Sequence, residues 1–194
     1  ASRGLGDVYK RQIQLSQYYG AKDFENLRKS LAHSYRLTAF IAAGVLILSQ
    51  SFASLVLTGL HTPSNIIGMS LLYLRIIFCG IPATAAYNMF ASALRAMGNS
   101  KTPLTAMIIA SVLNVSLDIL FVAGFGWGVA GAAIATVIAQ SFSAVYCFLI
   151  LRRIDIVHLT RADFMPASGM NARLMKLGIP VVFQNIIIGV GGLV

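Results

Sequence analysis

The sequence predicts an all-α fold, a polytopic bundle of transmembrane helices. Hydrophobic residues make up 57% of its 194 residues and charged residues only 11%, with a mean hydropathy of +0.77. Soluble domains are ordinarily less apolar and carry more charge. Four apolar stretches are each long enough to cross the roughly 30 Å hydrocarbon core of a bilayer. The lipid bilayer is therefore the expected environment of this chain.

The basic residues indicate how the helices are oriented. Three segments, residues 1–36, 95–101 and 152–176, hold 7, 2 and 5 of the 15 Lys and Arg residues. The connections 57–65 and 124–128 hold none. By the positive-inside rule we expect a multi-pass protein of the cell's inner (plasma) membrane with its basic loops in the cytoplasm. The net charge of +9 is then explained by the basic residues of the cytoplasmic loops, and no nucleic-acid partner is expected.

The first part of the chain precedes the first complete span. Residues 1–11 show no hydrophobic period and resemble non-native sequence, so they are not expected to contribute to the fold. Residues 12–20 fit the end of a helix, and the charged residues 21–36 predict a short surface helix as a connector. The 24 apolar residues 37–60 then predict the first complete span.

Three further spans are predicted. Residues 66–94 form the second, which is long enough to be tilted or kinked, with Pro82 removing a backbone hydrogen bond near its middle. Residues 103–123 predict the third span and residues 129–151 the fourth. A stripe of small residues on the fourth should let neighbouring helices approach closely, which predicts a central position. Its members are Gly131, Ala135, Ala139 and Ser143.

The last part of the chain is predicted to contain a boundary between two helix bundles, followed by an incomplete helix. Residues 152–173 are polar and basic, and Pro166 and Gly169 favour a connector between two bundles. Residues 174–194 open another apolar span that the chain does not complete. We therefore expect the chain to be an excerpt of a longer protein.

Asp118 is the only acidic residue in the apolar spans. A carboxylate in hydrocarbon is costly, so such a residue is by default a candidate for function. It belongs to one of two polar stripes that neighbouring antiparallel helices can bring together. The stripes are Ser111, Asn114 and Asp118 on the third span, and Thr136, Gln140 and Ser143 on the fourth. One carboxylate with amide and hydroxyl oxygens suits Na⁺, and a single acid suits a proton, while the alternative is a structural hydrogen-bond cluster.

Other polar residues of the spans are weaker candidates for lining a cavity, because each could equally bond a neighbouring helix. They are Gln50, Tyr87, Asn88, Gln140, Gln184 and Asn185. Arg75 is the one basic residue inside the four complete spans. We expect it to extend to the membrane interface or to pair within the bundle, with a substrate contact as the alternative.

No arrangement typical of an enzyme is present in the sequence. It contains no nucleophile–base pair, phosphate-binding loop, paired acids or CxxC motif. The three His residues have no metal-ligand spacing, and Cys79 and Cys147 fall inside apolar spans, where we expect small buried hydrophobes. We therefore expect no enzymatic activity and no cofactor, only a coupling ion, H⁺ or Na⁺.

Five motifs occur in order along the chain: QYYGAKD at Gln17–Asp23, LRAMGNSKTP at Leu94–Pro103, NVSLDILF at Asn114–Phe121, GVAGAAIATVIAQ at Gly128–Gln140 and KLGIP at Lys176–Pro180. In sequence and order they resemble the multidrug and toxic compound extrusion (MATE) family of antiporters. The resemblance covers nearly the whole chain after residue 12.

The resemblance implies a larger architecture of twelve helices in two six-helix lobes, with both termini in the cytoplasm. This chain would run from the end of helix two to the start of helix seven. Residues 12–151 would hold amino-lobe helices, residues 152–173 the cytoplasmic connector between the lobes, and residues 174–194 the truncated first helix of the carboxyl lobe.

The resemblance also implies a cation site in the amino lobe. An aspartate on helix one builds it together with an asparagine, an aspartate and a threonine on helices five and six. Asn114, Asp118 and Thr136 match the last three in type and spacing, so we expect them to be the coupling-ion ligands, with Na⁺ or H⁺ as the ion. The helix-one aspartate lies outside this chain, which leaves the site incomplete as given.

The function that the resemblance implies is secondary antiport, in which small organic cations are exported in exchange for protons or sodium ions. One alternative is a lipid-linked oligosaccharide flippase of related design. Its anionic cargo would require several buried basic residues, whereas the complete spans offer only Arg75. A further alternative is a membrane segment without transport activity.

Overall fold

The computed structural model describes residue 13 and residues 15–154. In this part of the chain helices account for all regular structure and no strand occurs, so the predicted all-α class is confirmed. Residues 15–20 are helical and precede the main bundle. The bundle consists of α1 (Phe24–Gly59), α2 (Ile67–Cys79), α3 (Ile81–Ala96), α4 (Lys101–Asp118), a π-helix (Ile119–Gly124) and α5 (Gly128–Arg152).

Four helical stretches of the described residues are long and apolar enough to cross a membrane, as predicted. They are Phe24–Gly59, Ile67–Ala96, Lys101–Gly124 and Gly128–Arg152, of 36, 30, 24 and 25 residues. Even the shortest is about 36 Å long at 1.5 Å per residue. Their outer faces carry exposed large hydrophobic side chains, such as Phe40 (68% exposed) and Val112 (64%). Such faces suit contact with lipid.

Helix α1 corrects one prediction. Residues 21–36 are predicted to form a separate short surface helix, but residues 24–36 lead without a break into the first span, and one helix runs over Phe24–Gly59. Asp23 caps its start, because its Oδ1 accepts a hydrogen bond from the Asn26 backbone N–H at 3.2 Å. The first 20 residues of this helix contain no Gly or Pro, so nothing in the backbone ends the helix before it enters the apolar region.

The second span is interrupted, as Pro82 predicts. Helix α2 ends at Cys79 and α3 begins at Ile81, with Pro82 in its first turn. Proline has no N–H to donate to the carbonyl of Phe78, which weakens the helix at this point. Gly80 lies at the junction, and its N–H donates to the Ile77 carbonyl at 2.9 Å.

A compact apolar core lies at one end of the bundle. It brings together the start of α1, the end of α3 and the end of α5, and we call it the basic-end core. Its largest fully buried members are Leu27, Leu31, Leu94, Cys147 and Leu151. Basic residues follow these leucines directly in the sequence, at Arg28, Arg95 and Arg152. The basic segments of the described chain therefore meet at one end of the molecule.

Candidate ion-coupling site

The two predicted polar stripes do meet, because α4 and α5 pack against each other along their length. The Asn114 Nδ2 donates a hydrogen bond of 3.4 Å to the Thr136 Oγ1. The Thr136 hydroxyl in turn donates to the carbonyl of Ala132, one turn earlier on α5, at 3.0 Å. Both side chains are half-buried. This long bond leaves the Asn114 carbonyl oxygen and a lone pair on Thr136 Oγ1 for a further partner.

Asp118 lies one turn beyond Asn114, at the last residue of α4. Its Oδ1 atom is buried and has no hydrogen-bond partner among the described residues. A buried carboxylate oxygen without a partner is costly, whereas a bound proton or a cation would satisfy it. Among the residues matched to the cation site, Asp118 is therefore the one that most clearly requires a bound proton or cation.

The chain changes its helical form directly after Asp118. Residues Ile119–Gly124 form a π-helix, a wider turn that is rare and occurs frequently at functional sites. The Phe125 N–H bonds the Leu120 carbonyl at 2.9 Å, five residues back. The sequence predicts this stretch as the end of an ordinary span, because its apolar side chains give no signal of the change. In the structure the π-helix packs against α5.

A cavity of about 260 Å³ lies beside the Asn114–Thr136 pair. Its lining carries no charge and combines polar groups with apolar surface, and it includes six polar residues that the sequence singles out, Tyr87, Ser111, Asn114, Thr136, Gln140 and Ser143. The lining residues are Thr84, Tyr87, Met107, Ala110, Ser111, Asn114, Thr136, Ala139, Gln140 and Ser143. Asp118 is not among them and lies one turn past Asn114, beyond the edge of the cavity.

Two further hydrogen bonds tie the walls of this cavity together. The Thr84 hydroxyl donates to the Gln140 Oε1 at 2.9 Å, which joins α3 to α5. The Tyr87 hydroxyl donates to the Pro103 carbonyl at 3.1 Å, which joins α3 to α4. The sequence analysis did not select Thr84, although its position three residues before Tyr87 places the two on one helix face.

Gly80 brings the break between α2 and α3 against α5. A Cβ atom at this position would lie 2.8 Å from the Gln140 Oε1 and 3.1 Å from the Val137 Cγ2. The absence of a side chain at Gly80 lets the Gln140 carboxamide approach this closely. The carboxamide of Gln140 is thus held between the helix break on one side and the Thr84 hydroxyl on the other.

The remaining cavity-lining candidates lie elsewhere. The Gln50 Nε2 donates to the Arg75 carbonyl at 2.9 Å and to the Cys79 Sγ at 3.4 Å, so Gln50 bonds the end of α2. Asn88 is exposed on α3, away from the cavity. Cys79 is also exposed, contrary to expectation, whereas Cys147 is buried; both are free thiols. Gln184 and Asn185 lie outside the described residues.

No charged residue of the described part of the chain lines the cavity. Arg75 is exposed on α2 and does not line the cavity, so the structure offers no buried basic group there for an anionic lipid-linked cargo. The described residues contain no group of three His, Cys, Asp or Glu side chains that could hold a metal ion. A cation at Asp118 would therefore bind one carboxylate and neutral oxygens, which is the chemistry of Na⁺ or of a simple proton site.

Comparisons with known proteins identify similar sequences. The family model described as MatE matches residues 12–120. A probable multidrug resistance protein of Bacillus subtilis, YpnP, is 33% identical over 174 residues, which cover 90% of this chain and 39% of that protein. The multidrug export protein MepA of Staphylococcus saprophyticus is 25% identical over 196 residues, covering 98% of this chain and 43% of that protein. The chain thus spans less than half the length of these relatives.

Solved structures show the same fold. A crystal structure of MATE in the bent conformation superposes with a TM-score of 0.81 at 23% identity, over 96% of this chain and 42% of that one. The inward-facing conformation of a multidrug resistance MATE family transporter of the MOP superfamily gives the same TM-score, identity and coverage. At this identity the likeness is one of fold.

Proposed function

Because the chain belongs to the MatE family of multi-pass membrane transporters, we propose that its protein is a secondary antiporter that exports organic cations in exchange for protons or sodium ions. The observation that carries this proposal is the buried Oδ1 of Asp118, which has no partner among the described residues and lies one turn from the Asn114–Thr136 pair. In this proposal Asp118 binds the coupling ion, and the Asn114 and Thr136 oxygens support it.

The site supports coupling for a simple electrostatic reason. When the ion leaves, the charged carboxylate has a buried oxygen, Oδ1, without a partner among the described residues, which is unfavourable. The protein then gains free energy by moving to an arrangement in which Asp118 meets water, a new ion or a cationic cargo. Ion release and conformational change thus become two parts of one equilibrium.

In this proposal the cargo and the coupling ion are exchanged because they compete for one negative charge. The cavity is lined by hydroxyl, amide and aromatic groups and holds no charged side chain of its own. A cationic cargo in it would be attracted by Asp118, which lies one turn past the lining residue Asn114 and also holds the coupling ion in this proposal. One carboxylate that neutralises either the cargo or the ion, and not both, makes the two alternate.

The charge pattern supports an orientation for this transporter. The basic-end core carries Arg28, Arg95 and Arg152, while the connections at the other end of the described bundle carry no Lys or Arg. We place the basic end in the cytoplasm and the protein in the plasma membrane by the positive-inside rule. Cargo would then leave through the opposite, uncharged end.

The test is the variant Asp118→Asn in the full-length protein. Asparagine keeps the shape of the side chain and removes its charge, so efflux of a fluorescent organic cation should fall to the level of cells without the transporter. The matched control is Ser116→Ala, two residues away on the exposed face, whose hydroxyl bonds only its own helix at the Val112 carbonyl. Both variants should reach the membrane in normal amounts, and wild-type efflux by Asp118→Asn would rule the proposal out.

A further inference from the structure

The widened turn after Asp118 is continued by the loop that follows it. The Trp127 N–H bonds the Phe121 carbonyl at 2.9 Å, six residues back, beside the Phe125 to Leu120 bond already described. An α-helix would close each of these bonds over four residues. The backbone from Ile119 to Trp127 is therefore broader than a normal helix end.

Gly131 of α5 lies against this broad turn. A Cβ atom at position 131 would lie 3.0 Å from the Phe121 Cβ, 3.1 Å from the Trp127 Cβ and 3.2 Å from the Phe121 carbonyl carbon. These atoms belong to the backbone or lie next to it, so they cannot swing aside as a long side chain could. Gly131 thus allows the α5 backbone to approach the π-helix, in the way that small residues do between membrane helices.

Three aromatic rings of this turn pack against one another. The Phe121 ring stacks on the Trp127 ring with centroids 5.1 Å apart and on the Phe125 ring at 6.0 Å. The Phe125 and Trp127 rings are 5.4 Å apart. Phe121 contacts both these rings and the α5 backbone at Gly131, so we expect a side chain added at position 131 to displace the Phe121 backbone.

A movement of Phe121 reaches the candidate ion ligands. Asp118 precedes Phe121 by three residues, about one turn, and is the last α-helical residue before the π-helix. On the facing helix, Thr136 follows Gly131 by five residues, or about 7.5 Å along the axis. The contact between Gly131 and Phe121 therefore sets the position of Asp118 relative to Thr136.

We propose that Gly131 is a positioning residue, which holds the Asp118 carboxylate in register with Asn114 and Thr136 through the π-helix. This inference rests on the proposed role of Asp118 as an ion ligand. Gly131 touches neither ion nor cargo in this account; it acts through Phe121.

The test is Gly131→Ala in the full-length protein, with efflux measured against sodium concentration and against pH. We expect the coupling-ion concentration for half-maximal efflux to rise about tenfold, the scale on which residues that orient metal ligands act. The maximal rate at saturating ion should stay near wild type, a separation that a merely destabilised protein would not show. Gly44→Ala is the matched control, since a Cβ at that membrane-helix position meets nothing within 4 Å.

The outcomes separate this inference from the proposed function. If Asp118→Asn is inactive but Gly131→Ala has the wild-type activation curve, Gly131 has no positioning role and the function of Asp118 stands. If Asp118→Asn is active, the ion site itself is wrong. If Gly131→Ala does not reach the membrane, Trp127→Ala is measured instead, because it loosens the support of Phe121 while keeping Gly131. A raised half-maximal ion concentration in Trp127→Ala supports the inference, and an unchanged one overturns it.

Discussion

The basic-end core and the polar seam between α4 and α5 are held together in different ways. The core is built from leucines with almost no accessible surface, such as Leu27 and Leu94. The seam has a long hydrogen bond between Asn114 and Thr136, an unpartnered oxygen on Asp118 and a π-helix with no buried residue. Packing by large apolar side chains and ion chemistry thus lie at different places along the bundle, so that the seam can change while the core stays fixed.

This division has a physical basis. Tight packing of apolar side chains resists any change of shape, because voids and overlaps both cost free energy. A site that binds and releases an ion needs groups with alternative partners. Hydroxyl and amide groups that bond within their own helix or across the seam, such as Thr136, provide such alternatives.

The largest expected effect on stability is in the basic-end core. Leu94→Ala should lower the free energy of unfolding by about 2–5 kcal/mol, because it leaves a cavity among fully buried neighbours. Val112→Ala, on the lipid-facing surface, is the control and should cost far less. Denaturation of the purified protein in detergent measures both. The half-maximal ion concentration of Leu94→Ala should match wild type; a changed ion response would mean that core and seam are not separate.

A smaller effect is expected where α3 meets the seam. Gly80→Ala would push the Gln140 carboxamide away and break its bond to Thr84, at a cost of about 1 kcal/mol. Thr84→Val removes the same bond and should cost about 0.6 kcal/mol, the average for hydrogen bonds between membrane helices. Gly68→Ala is the control, since a Cβ there meets nothing within 4 Å.

Gly80→Ala and Thr84→Val can be combined to test whether both act through Gln140. Since both act through Gln140, the double variant should cost less than the sum of the two single variants in the same unfolding experiment. Strict additivity would show that Gly80 and Thr84 stabilise the bundle independently.

The smallest effect is expected at the start of α1. The pKa of Asp23 is lowered because its carboxylate accepts hydrogen bonds from the Asn26 side chain and backbone. A lowered pKa means that the cap stabilises the helix above the ordinary aspartate range and is lost as the pH falls through the folded-state pKa. The protection of the first α1 amides against hydrogen exchange, measured relative to the intrinsic exchange rate at each pH, should therefore fall at acidic pH, and Asp23→Ala should show that lower protection at neutral pH too. Protection in the wild type that does not change with pH would contradict the cap.

Hydrophobic periodicity and charge were enough to predict much of the fold. The four membrane-length helices follow from the apolar stretches, and the break near Pro82 follows from its missing N–H. The unbroken α1 was missed because the charged residues before position 37 suggested a separate surface helix. Charged residues indicate that a segment is exposed to water, but they do not end a helix. Gly, Pro or a capping residue does.

The site could be predicted from the sequence only in part. Spacing brought Asn114 and Thr136 onto facing stripes, and the structure joins them. The π-helix and the fit of Gly131 against Phe121 depend on how two backbones meet, which no local pattern encodes. Gln50 was assigned to a cavity because it is polar in a span, but a polar group can equally bond a neighbouring helix, as it does at Arg75.

The central claim is that the Asp118 carboxylate exchanges its ion for cargo, and proton or sodium release on cargo binding tests it most directly. The purified full-length protein is placed in weakly buffered detergent solution, an organic cation is added, and a pH indicator and radioactive sodium report what is released. Wild type and Ser116→Ala should each release a proton or a sodium ion, and Asp118→Asn should release neither. Equal release from Asp118→Asn would contradict the account.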